Sequence, residues 1–352
     1  MRQKVSTLIK WSNLLLILIT FACYVSPFIH PKVFWPLAVL GLTYPFLLFA
    51  NLGFIFLWVL RKHHYFLFSL TTIVLGWTHF QSFVGYHFTP DCASTIKVAS
   101  FNGYSFRSLG SPTSMNSEQE LEKHFPPLDA EILCIQEFVQ SRHHQNLFSR
   151  FLKKKGYIHQ FLQIGRGLAI YSKYPLENGI HESFGNQANG YQVIDLNIKN
   201  QKFRLFNLHL LSNGVSQTAD RVASNGNLQE EQTWRDIRFI VGNYKRAAQK
   251  RSDEAQKIAK LIEKSPYPII LCGDFNETPQ SHTYYLISKN LKDTFKAAGR
   301  GLGITYAGSI PALHIDHILV DPNIDVCKTT IQSSIFSDHY PVVSHINLDQ
   351  IP

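Results

Sequence analysis

The first 90 residues contain no aspartate or glutamate, and this absence constrains the fold more than any other feature of the chain. Three apolar stretches fill this region, at about 11–29, 34–60 and 65–86. Each approaches or exceeds the roughly 20 residues that an α-helix needs to cross a bilayer. The pattern therefore predicts a membrane region with three transmembrane helices at 1–90, a linker at 91–95 and a separate domain at 96–352.

Individual residues within the apolar stretches are typical of membrane helices. Trp11, Trp35 and Trp58 lie near the predicted ends, where aromatic rings favour the interface. Pro45 is expected to kink the second span, and Asn51 is expected to face neighbouring helices. The first stretch alone would also fit a signal peptide. Two further stretches, and no small-residue cleavage site before the second, favour a membrane region instead.

The basic residues of the membrane region predict its orientation. Five of the six lie before the first span or between the second and third: Arg2, Lys4, Lys10, Arg61 and Lys62. Lys32 alone marks the opposite side. The positive-inside rule then places the N-terminus in the cytoplasm and everything after Tyr86 outside it. We therefore expect a multi-pass membrane protein with an extracytoplasmic C-terminal domain.

The net charge of +9 is concentrated in the membrane region rather than in the larger domain. Beyond residue 90, 28 basic residues face 25 acidic ones, a net charge of about +3. Such a domain gives little support for nucleic acid binding through overall charge, although a small basic groove would suffice. Transport is disfavoured because the predicted spans carry no acidic residue to mark an ion pathway.

The five cysteines give few constraints. Cys134 and Cys272 lie within apolar runs, where a small buried thiol is the simpler interpretation. Cys92 and Cys327 could pair in an oxidising compartment, but their spacing does not predict it, and the sequence leaves the question open. The cysteines and histidines show no spacing typical of a zinc site.

Strand and helix patterns intermix after residue 95. Apolar runs predict strands at 96–101, 132–136, 167–171, 191–198, 203–208, 268–272, 314–320 and 341–346. Helical spacing of apolar residues occurs at 116–125, 145–155 and 229–264. Several neighbouring strands have no helix between them. The domain is therefore expected to be α/β, of the α+β kind, with packed sheets and helices outside.

Polar side chains follow the predicted strands where each strand ends. Asp274 and Asn276 lie two apart after an apolar run and point to one side of an extended chain. A carboxylate can orient or deprotonate water, and a neutral amide can donate to an oxyanion. Asp338 could hold a cation while the adjacent His339 handles a proton or developing charge. The other strand-end candidates are Asn102, Glu137, His209 and Asp316.

Three of these residues have the chemistry of a hard-metal site. Glu137, Asp338 and Asn102 supply oxygen atoms, which suit Mg²⁺ or Mn²⁺ rather than zinc. Taken alone, Asn102 would also fit a turn and Glu137 a solvated strand end. Asp316 differs, because a buried carboxylate needs a partner and His339 is the natural one.

The order and spacing of these residues resemble the endonuclease/exonuclease/phosphatase superfamily, over about 96–346. The resemblance rests on Ser100-Phe101-Asn102, Gln136-Glu137, residues 167–175, Asn207-Leu208-His209-Leu210, Gly273-Asp274-Phe275-Asn276, Ile315-Asp316-His317-Ile318 and Ser337-Asp338-His339-Tyr340-Pro341. It implies a deoxyribonuclease I-like four-layer sandwich: two mainly antiparallel sheets flanked by helices, with the site where the motif loops gather at one edge.

The resemblance also implies a role for each metal-site and base candidate. Glu137, with Asn102 and Asp338 nearby, would bind the divalent cation, Mg²⁺ or Mn²⁺. Asp274 would position or deprotonate the attacking water. The metal and the hydrogen-bond donors would neutralise a transition state whose charge spreads over phosphoryl oxygens.

The remaining implied roles concern the developing charge. Asn276 and His209 would contact the phosphoryl oxygens. Asp316 would orient His339, which would assist in-line displacement by charge stabilisation or proton transfer. In many family members an acidic residue supports the histidine that corresponds to His209. We do not identify that acidic residue in this sequence.

Two positions depart from the family pattern. Many members have Arg before the Ile-Asp pair and Tyr after it, where this chain has His314 and His317. Neither change removes a catalytic group, so both are interpreted as local variation.

The sequence thus predicts a membrane-anchored, divalent-metal-dependent phosphoester hydrolase. The substrate stays open between nucleic acid, cleaved by an extracytoplasmic nuclease, and a phospholipid headgroup, with a small phosphate ester as a third choice. A silent binding protein on this fold is disfavoured because Asp274, Asn276 and His339 are all present. The predicted partners are the phosphoester substrate and membrane lipid around three spans; no protein partner is predicted.

Overall fold

The computed structural model describes residues 2–87, 92, 95–106, 117–125, 128–138, 141–163, 167–185, 188–227, 229–308, 310–333 and 337–349. Its helices are α1 Arg2–Val25, α2 Pro31–Phe34, α3 Pro36–Leu42, α4 Tyr44–Leu60, α5 Phe66–Leu75, α6 Trp77–Gln81, α7 Glu118–His124, α8 Arg142–Lys154, α9 Ser216–Asn225, α10 Glu231–Glu263, α11 His282–Ser288 and α12 Thr294–Ala298.

The strands carry the predicted apolar runs and add several short ones. They are β1 Val84–Tyr86, β2 Ile96–Asn102, β3 Ile132–Phe138, β4 His159–Leu162, β5 Gly167–Ser172, β6 Leu176–Ser183, β7 Gly190–Ile198, β8 Gln201–His209, β9 Ile269–Asp274, β10 Lys292–Asp293, β11 Arg300–Leu302, β12 Asp316–Val320, β13 Asp325–Ile331 and β14 Val342–Asn347. All eight predicted strands and the long helix predicted at 229–264 are confirmed.

Helices α1, α4 and α5 pack together through a few polar contacts inside an apolar bundle. Asn13 Nδ2 donates to Ser69 Oγ at 2.8 Å, and Trp58 Nε1 donates to Asn13 Oδ1 at 3.0 Å. Asn51 Nδ2 donates to Thr20 Oγ1 at 3.0 Å, which confirms that Asn51 faces a neighbouring helix. These bonds satisfy both ends of the Asn13 amide and the Nδ2 group of Asn51, which would otherwise be costly in an apolar setting.

The prediction of three transmembrane helices is wrong. Within the described residues, one helical segment, Thr7–Phe28, is long and apolar enough to cross a bilayer, and a second qualifies only if α3 and α4 form one bent span. The bend between them is 64°. It lies at Thr43, two residues before Pro45, because proline lacks the N–H that would continue the helix.

The third predicted span, 65–86, breaks up into shorter elements. Helix α5 has ten residues, about 15 Å at 1.5 Å per residue, and is too short to cross a bilayer. It ends at Gly76, where a Cβ atom would overlap the ring of Tyr24 at 2.1 Å. The rest of the segment forms α6 and then β1, which pairs antiparallel with β11 of the larger domain.

Two six-stranded sheets form the larger domain. The first has the order β13-β14-β2-β3-β5-β4 and the second has the order β10-β12-β9-β8-β7-β6. Within them the β2–β3 and β8–β9 pairs are parallel, and the other described pairs are antiparallel. The mainly antiparallel pairing agrees with the predicted sandwich.

The layers are held by three apolar clusters. The cluster between the sheets joins Val98, Cys134 and Ile170 of the first sheet to Leu205, Ile270 and Ile318 of the second. Phe148 and Phe151 of α8 cover the outer face of the first sheet, and Ile258 and Ile262 of α10 cover that of the second. The result is four layers, helix–sheet–sheet–helix, as the sequence predicts.

The N-terminal region packs directly on the larger domain. Tyr244 Oη of α10 lies 3.0 Å from the carbonyl oxygen of Ala38, and Gln280 Nε2 donates to Ser82 Oγ at 3.0 Å. Gly41 allows α3 to approach closely, since a Cβ atom there would lie 2.9 Å from Gln280 O. The two regions therefore share a contact surface.

A disulfide bond joins Cys92, within the predicted linker at 91–95, to Cys327 of β13. Their Cα atoms lie 6.0 Å apart, and 235 residues separate them in the chain. The sequence left this pairing open. Of the linker, only Cys92 and Thr95 are among the described residues.

Candidate active site

Strand direction brings the predicted site residues to one edge of the sandwich. The parallel strands β2 and β3 end near Asn102 and Glu137, and the parallel strands β8 and β9 end at His209 and Asp274. Strand β12 runs antiparallel to β9, so its first residue, Asp316, lies directly opposite Asp274.

The last two site residues reach the same edge through β14. This strand is antiparallel to β2, so Asp338 and His339, which precede it, lie beside the end of β2. Ser337 fixes this loop, because its hydroxyl donates to the carbonyl of Asn102 at 2.7 Å and accepts from the His339 amide at 3.1 Å. The eight predicted residues therefore share one edge.

Asp274 is the centre of the site. Its Oδ2 accepts from Asn102 Nδ2 at 2.8 Å, and its Oδ1 accepts from the Asn276 backbone N–H at 2.8 Å. The Nε2 atoms of His209 and His339 lie 3.7 Å and 3.9 Å from the same Oδ2. The carboxylate is thus held by two donors and faced by two imidazoles.

His339 and Asp316 form a buried pair. His339 Nδ1 lies 2.8 Å from Asp316 Oδ2. Burial lowers the pKa of His339, but the carboxylates of Asp316 and Asp274 outweigh this and raise it. Burial raises the pKa of Asp316, and the charge of His339 opposes that rise. The pair therefore keeps His339 protonated, with its Nε2 directed toward Asp274.

Thr305 positions the start of β12. Its Oγ1 accepts the backbone N–H groups of Ile315 and Asp316 at 2.9 Å and 3.0 Å. Because both donors belong to the Asp316 turn, this buried hydroxyl fixes the carboxylate that holds His339.

His209 lies between two carboxylates. Its Nε2 is 3.7 Å from Glu137 Oε1 as well as from Asp274 Oδ2. Its Nδ1 lies 2.8 Å from the carbonyl oxygen of Ala188, a backbone partner that the sequence did not place. The ring is therefore held with Nε2 toward the site.

Backbone strain occurs at two site residues. Glu137 has φ of +46° and Asn276 has φ of +52°, a region that non-glycine residues seldom adopt. Both follow the end of regular pairing: the β3–β5 register shifts between Ile135 and Phe138, and Asn276 comes two residues after β9. Strain of this kind concentrates where side chains are aimed into a site.

An amide network supports the site from between the sheets. Gln136 Nε2 donates to Asn207 Oδ1 at 2.7 Å, and Asn207 Nδ2 lies 3.2 Å from Gln192 Oε1. Gln136 and Asn207 each precede a site residue, by one and two positions. Both belong to the motifs that carry the family resemblance, although no role was predicted for them; the position of Asn207 two residues before His209, on the same face of β8, is the signal that could have identified it.

Five of the eight site residues line a cleft of about 170 Å³: Glu137, Asp274, Asn276, Asp338 and His339. Its described lining includes the carboxylates of Glu137, Asp274 and Asp338 and has no lysine or arginine. Burial raises the pKa of Asp338, with the charge of His339 opposing the rise. The three carboxylates offer oxygen atoms that fit a divalent cation such as Mg²⁺, and His339 is the one described cationic group in the lining.

A second arrangement of possible ligands lies deeper. Ligand atoms of Asp274, Asp316 and His339 all lie within 4.8 Å of one another. The Asp316–His339 hydrogen bond and the two donors on Asp274 already use several of these lone pairs. Asp274 therefore belongs both to this buried acidic/histidine cluster and to the carboxylates that line the cleft.

Asn102 has contacts beyond those predicted for a metal ligand. Its Nδ2 donates to Asp274, and its Oδ1 accepts from the Tyr104 backbone N–H at 2.9 Å. The residue therefore orients Asp274 directly, and its role in metal binding stays a prediction.

A family model described as endonuclease/exonuclease/phosphatase family matches residues 99–339. This match covers more than half of the chain and includes every residue of the site. The chain belongs to the endonuclease/exonuclease/phosphatase family. Members of this family hydrolyse phosphoester bonds, typically with a divalent metal. A second model, described only as a domain of unknown function, matches residues 6–83.

Solved structures share the family fold. An endonuclease/exonuclease/phosphatase from Beutenbergia cavernae matches with a TM-score of 0.52 and 15% identity, over 72% of each chain. TDP2 of D. rerio, complexed with a single-strand DNA product, gives a TM-score of 0.50 and 13% identity, over 72% of this chain and 99% of that one. At such identities the similarity shows the fold alone. No curated protein matches the sequence.

Replacing Asp316 by asparagine is expected to lower the pKa of His339, because a neutral amide removes a carboxylate that raises it. Histidine labelled with ¹³C at Cε1 would report the titration by NMR, with the His339 signal assigned from its loss in His339→Gln. The exposed Asp325→Asn serves as the matched control and should leave the titration unchanged. A His339 signal that titrates identically in Asp316→Asn and the native protein would contradict the pairing.

Proposed function

We propose that this protein is a membrane-anchored, divalent-metal-dependent phosphoester hydrolase that directs water in line at a phosphodiester or phosphomonoester. The observation that carries the proposal is the environment of Asp274. Two donors hold its carboxylate, and two histidine Nε2 atoms lie within 4 Å of one of its oxygens. A phosphoryl group in the cleft would meet a base on one side and donors on the other.

In this proposal each side chain has one task. Asp274 orients the attacking water and accepts its proton. Asn276 and His209 contact the phosphoryl oxygens, and protonated His339, held by Asp316, stabilises the developing charge. Donors fixed in advance stabilise a transition state without reorganising during the reaction.

A divalent cation, Mg²⁺ or Mn²⁺, would be held by Glu137 and Asp338, with Asn102 nearby. When bound, it would neutralise charge on the phosphoryl oxygens. We place the cation at these carboxylates because they line the open cleft, whereas Asp316 is committed to His339.

The protein is further proposed to have an N-terminal anchor at 1–90, a linker at 91–95 and a catalytic domain at 96–352, with the catalytic domain outside the cytoplasm. Lys10 packs over the Tyr65 ring at 4.8 Å, and Arg61 and Lys62 follow α4, so these basic residues lie at the end of the bundle away from Ser82 and the catalytic domain. The Cys92–Cys327 disulfide supports an oxidising compartment. A single crossing by α1 would suffice for this orientation.

Loss of the catalytic groups should abolish hydrolysis without unfolding the protein. Asp274→Asn and His339→Gln are each expected to reduce kcat on bis(4-nitrophenyl) phosphate, with Mg²⁺ present, by roughly a hundredfold or more. The matched controls Asp325→Asn and His345→Gln, outside the cleft, should retain activity. Equal activity in all four variants would refute the enzyme assignment.

Metal binding should depend on the cleft carboxylates. Glu137→Gln and Asp338→Asn are expected to weaken Mn²⁺ binding by about tenfold or more, because each removes a charged oxygen ligand. Electron paramagnetic resonance of free Mn²⁺ measures this without catalysis. Glu177→Gln, on the exposed strand β6, is the control. Unchanged binding in both cleft variants would place the cation elsewhere.

The proposed orientation is tested by fluorescent protein fusions that fluoresce only in the cytoplasm. A fusion at the N-terminus is expected to fluoresce, and one following Pro352 is expected to be dark. The reason is that the positive-inside rule places the end of the bundle that carries the basic residues in the cytoplasm. Western blotting would show that both fusions accumulate. A bright C-terminal fusion would put the catalytic domain in the cytoplasm.

A further inference from the structure

An apolar pocket of about 100 Å³ adjoins the catalytic cleft. Two parts of the chain far apart in sequence form its outer wall: Val39 and Leu42 come from α3, and Ile240 and Val241 come from α10. These side chains are half-buried rather than packed away in the core. The pocket therefore exists only because the N-terminal region packs on the catalytic domain.

The pocket shares a wall with the cleft. Six residues line both: Asn213, Val215, Asn276, Ile310, Leu313 and Ile315. Asn276 is also the residue proposed to contact the phosphoryl oxygens. A group bonded to a phosphate in the cleft would therefore extend directly into the pocket.

A buried polar network holds the pocket wall in place. Tyr244 Oη lies 3.0 Å from both Ala38 O and Glu277 Oε2. Arg251 donates to Glu277 Oε1 at 2.7 Å and to Asn213 Oδ1 at 2.8 Å. These groups satisfy one another behind the wall, which leaves a mainly aliphatic surface facing the pocket.

We propose that this pocket binds the apolar chain next to the phosphate of a lipid phosphoester, so that the substrate is a lipid. The inference rests on the function proposed above and specifies its substrate. A cavity of about 150 Å³ holds one benzene. The smaller pocket therefore takes a few methylene groups, and these lie next to the phosphate only in a lipid whose hydrocarbon chain is bonded directly to it, such as an alkyl or prenyl phosphoester.

The composition of the pocket disfavours a nucleobase. Bases in single strands bind by stacking on aromatic side chains. Among the described residues that line the pocket, Tyr244 is the one aromatic, and it is 5% exposed with its hydroxyl in the polar network. The aliphatic side chains of the lining cannot form hydrogen bonds with the polar edge of a base.

The position of α3 gives a lipid a route to the pocket. Helix α3 continues through the 64° bend into α4, whose exposed apolar residues include Phe46 and Phe49. An exposed apolar surface of this kind marks contact with a membrane or another apolar partner. The pocket wall is therefore the end of the segment proposed to meet lipid.

The test compares two esters with the same reacting group, 4-nitrophenyl methyl phosphate and 4-nitrophenyl butyl phosphate, using the full chain in detergent micelles with Mg²⁺. Each fully buried methylene is worth about fourfold in binding. With partial burial of three more methylenes, kcat/KM is expected to be roughly tenfold higher for the butyl ester.

Filling the pocket should remove this preference. Val39→Phe is expected to bring the butyl-to-methyl ratio of kcat/KM close to one. The matched control is Val33→Phe on α2, where the native side chain is 79% exposed and does not line the pocket. This control should keep the tenfold ratio.

The outcomes separate this inference from the function on which it rests. Hydrolysis of neither ester by the native chain would remove both. Equal hydrolysis of the two esters, or a ratio that survives Val39→Phe, would overturn the lipid pocket and leave the hydrolase intact. Preference for the 4-nitrophenyl ester of thymidine 5′-phosphate over the butyl ester would also overturn it, in favour of nucleic acid.

Discussion

The register of β8, β9 and β12 is the constraint on which the site depends. Parallel pairing places His209 beside Asp274, and antiparallel pairing places Asp316 on the other side of Asp274. A slip of one residue would turn every side chain of a strand to the opposite face of the sheet. The apolar residues that fix this register, such as Leu205 and Ile270, are therefore as necessary to the site as the residues that line it.

Much of the fold could be predicted from the sequence, and the errors have a physical cause. Apolar runs between polar residues identify strands because burial and alternation are local properties. The prediction of the third membrane span was wrong because amino-acid composition contains no information about which residues pack closely together. Gly76 against Tyr24, and the pairing of Val84–Tyr86 with β11, are contacts made after the chain has folded.

Some residues of the candidate site could also be predicted from the sequence, and others could not. Asp274 could be identified from the sequence because it is a charged residue at the end of an apolar run. A buried carboxylate without a partner is costly, so such a position indicates a functional role. Ser337 belongs to a motif of the family resemblance, but neither its role nor that of Thr305 could be predicted, because a hydroxyl acts only through its hydrogen-bond partners. Ser337 contacts Asn102, 235 residues away, and Thr305 contacts the Asp316 backbone, 11 residues away.

Of the two histidines that depart from the family pattern, His314 contacts the N-terminal region directly and His317 contacts a residue behind it. His314 Nδ1 lies 2.9 Å from Ser82 O, and His317 Nε2 lies 3.2 Å from Glu277 O. Glu277 also meets Tyr244, whose hydroxyl reaches α3. Because His314 and His317 flank Ile315-Asp316, residues at the catalytic edge contact the region that precedes the domain. Packing thus accounts for both departures: His314 contacts the N-terminal region at Ser82, and His317 contacts Glu277, which meets Tyr244 beneath α3.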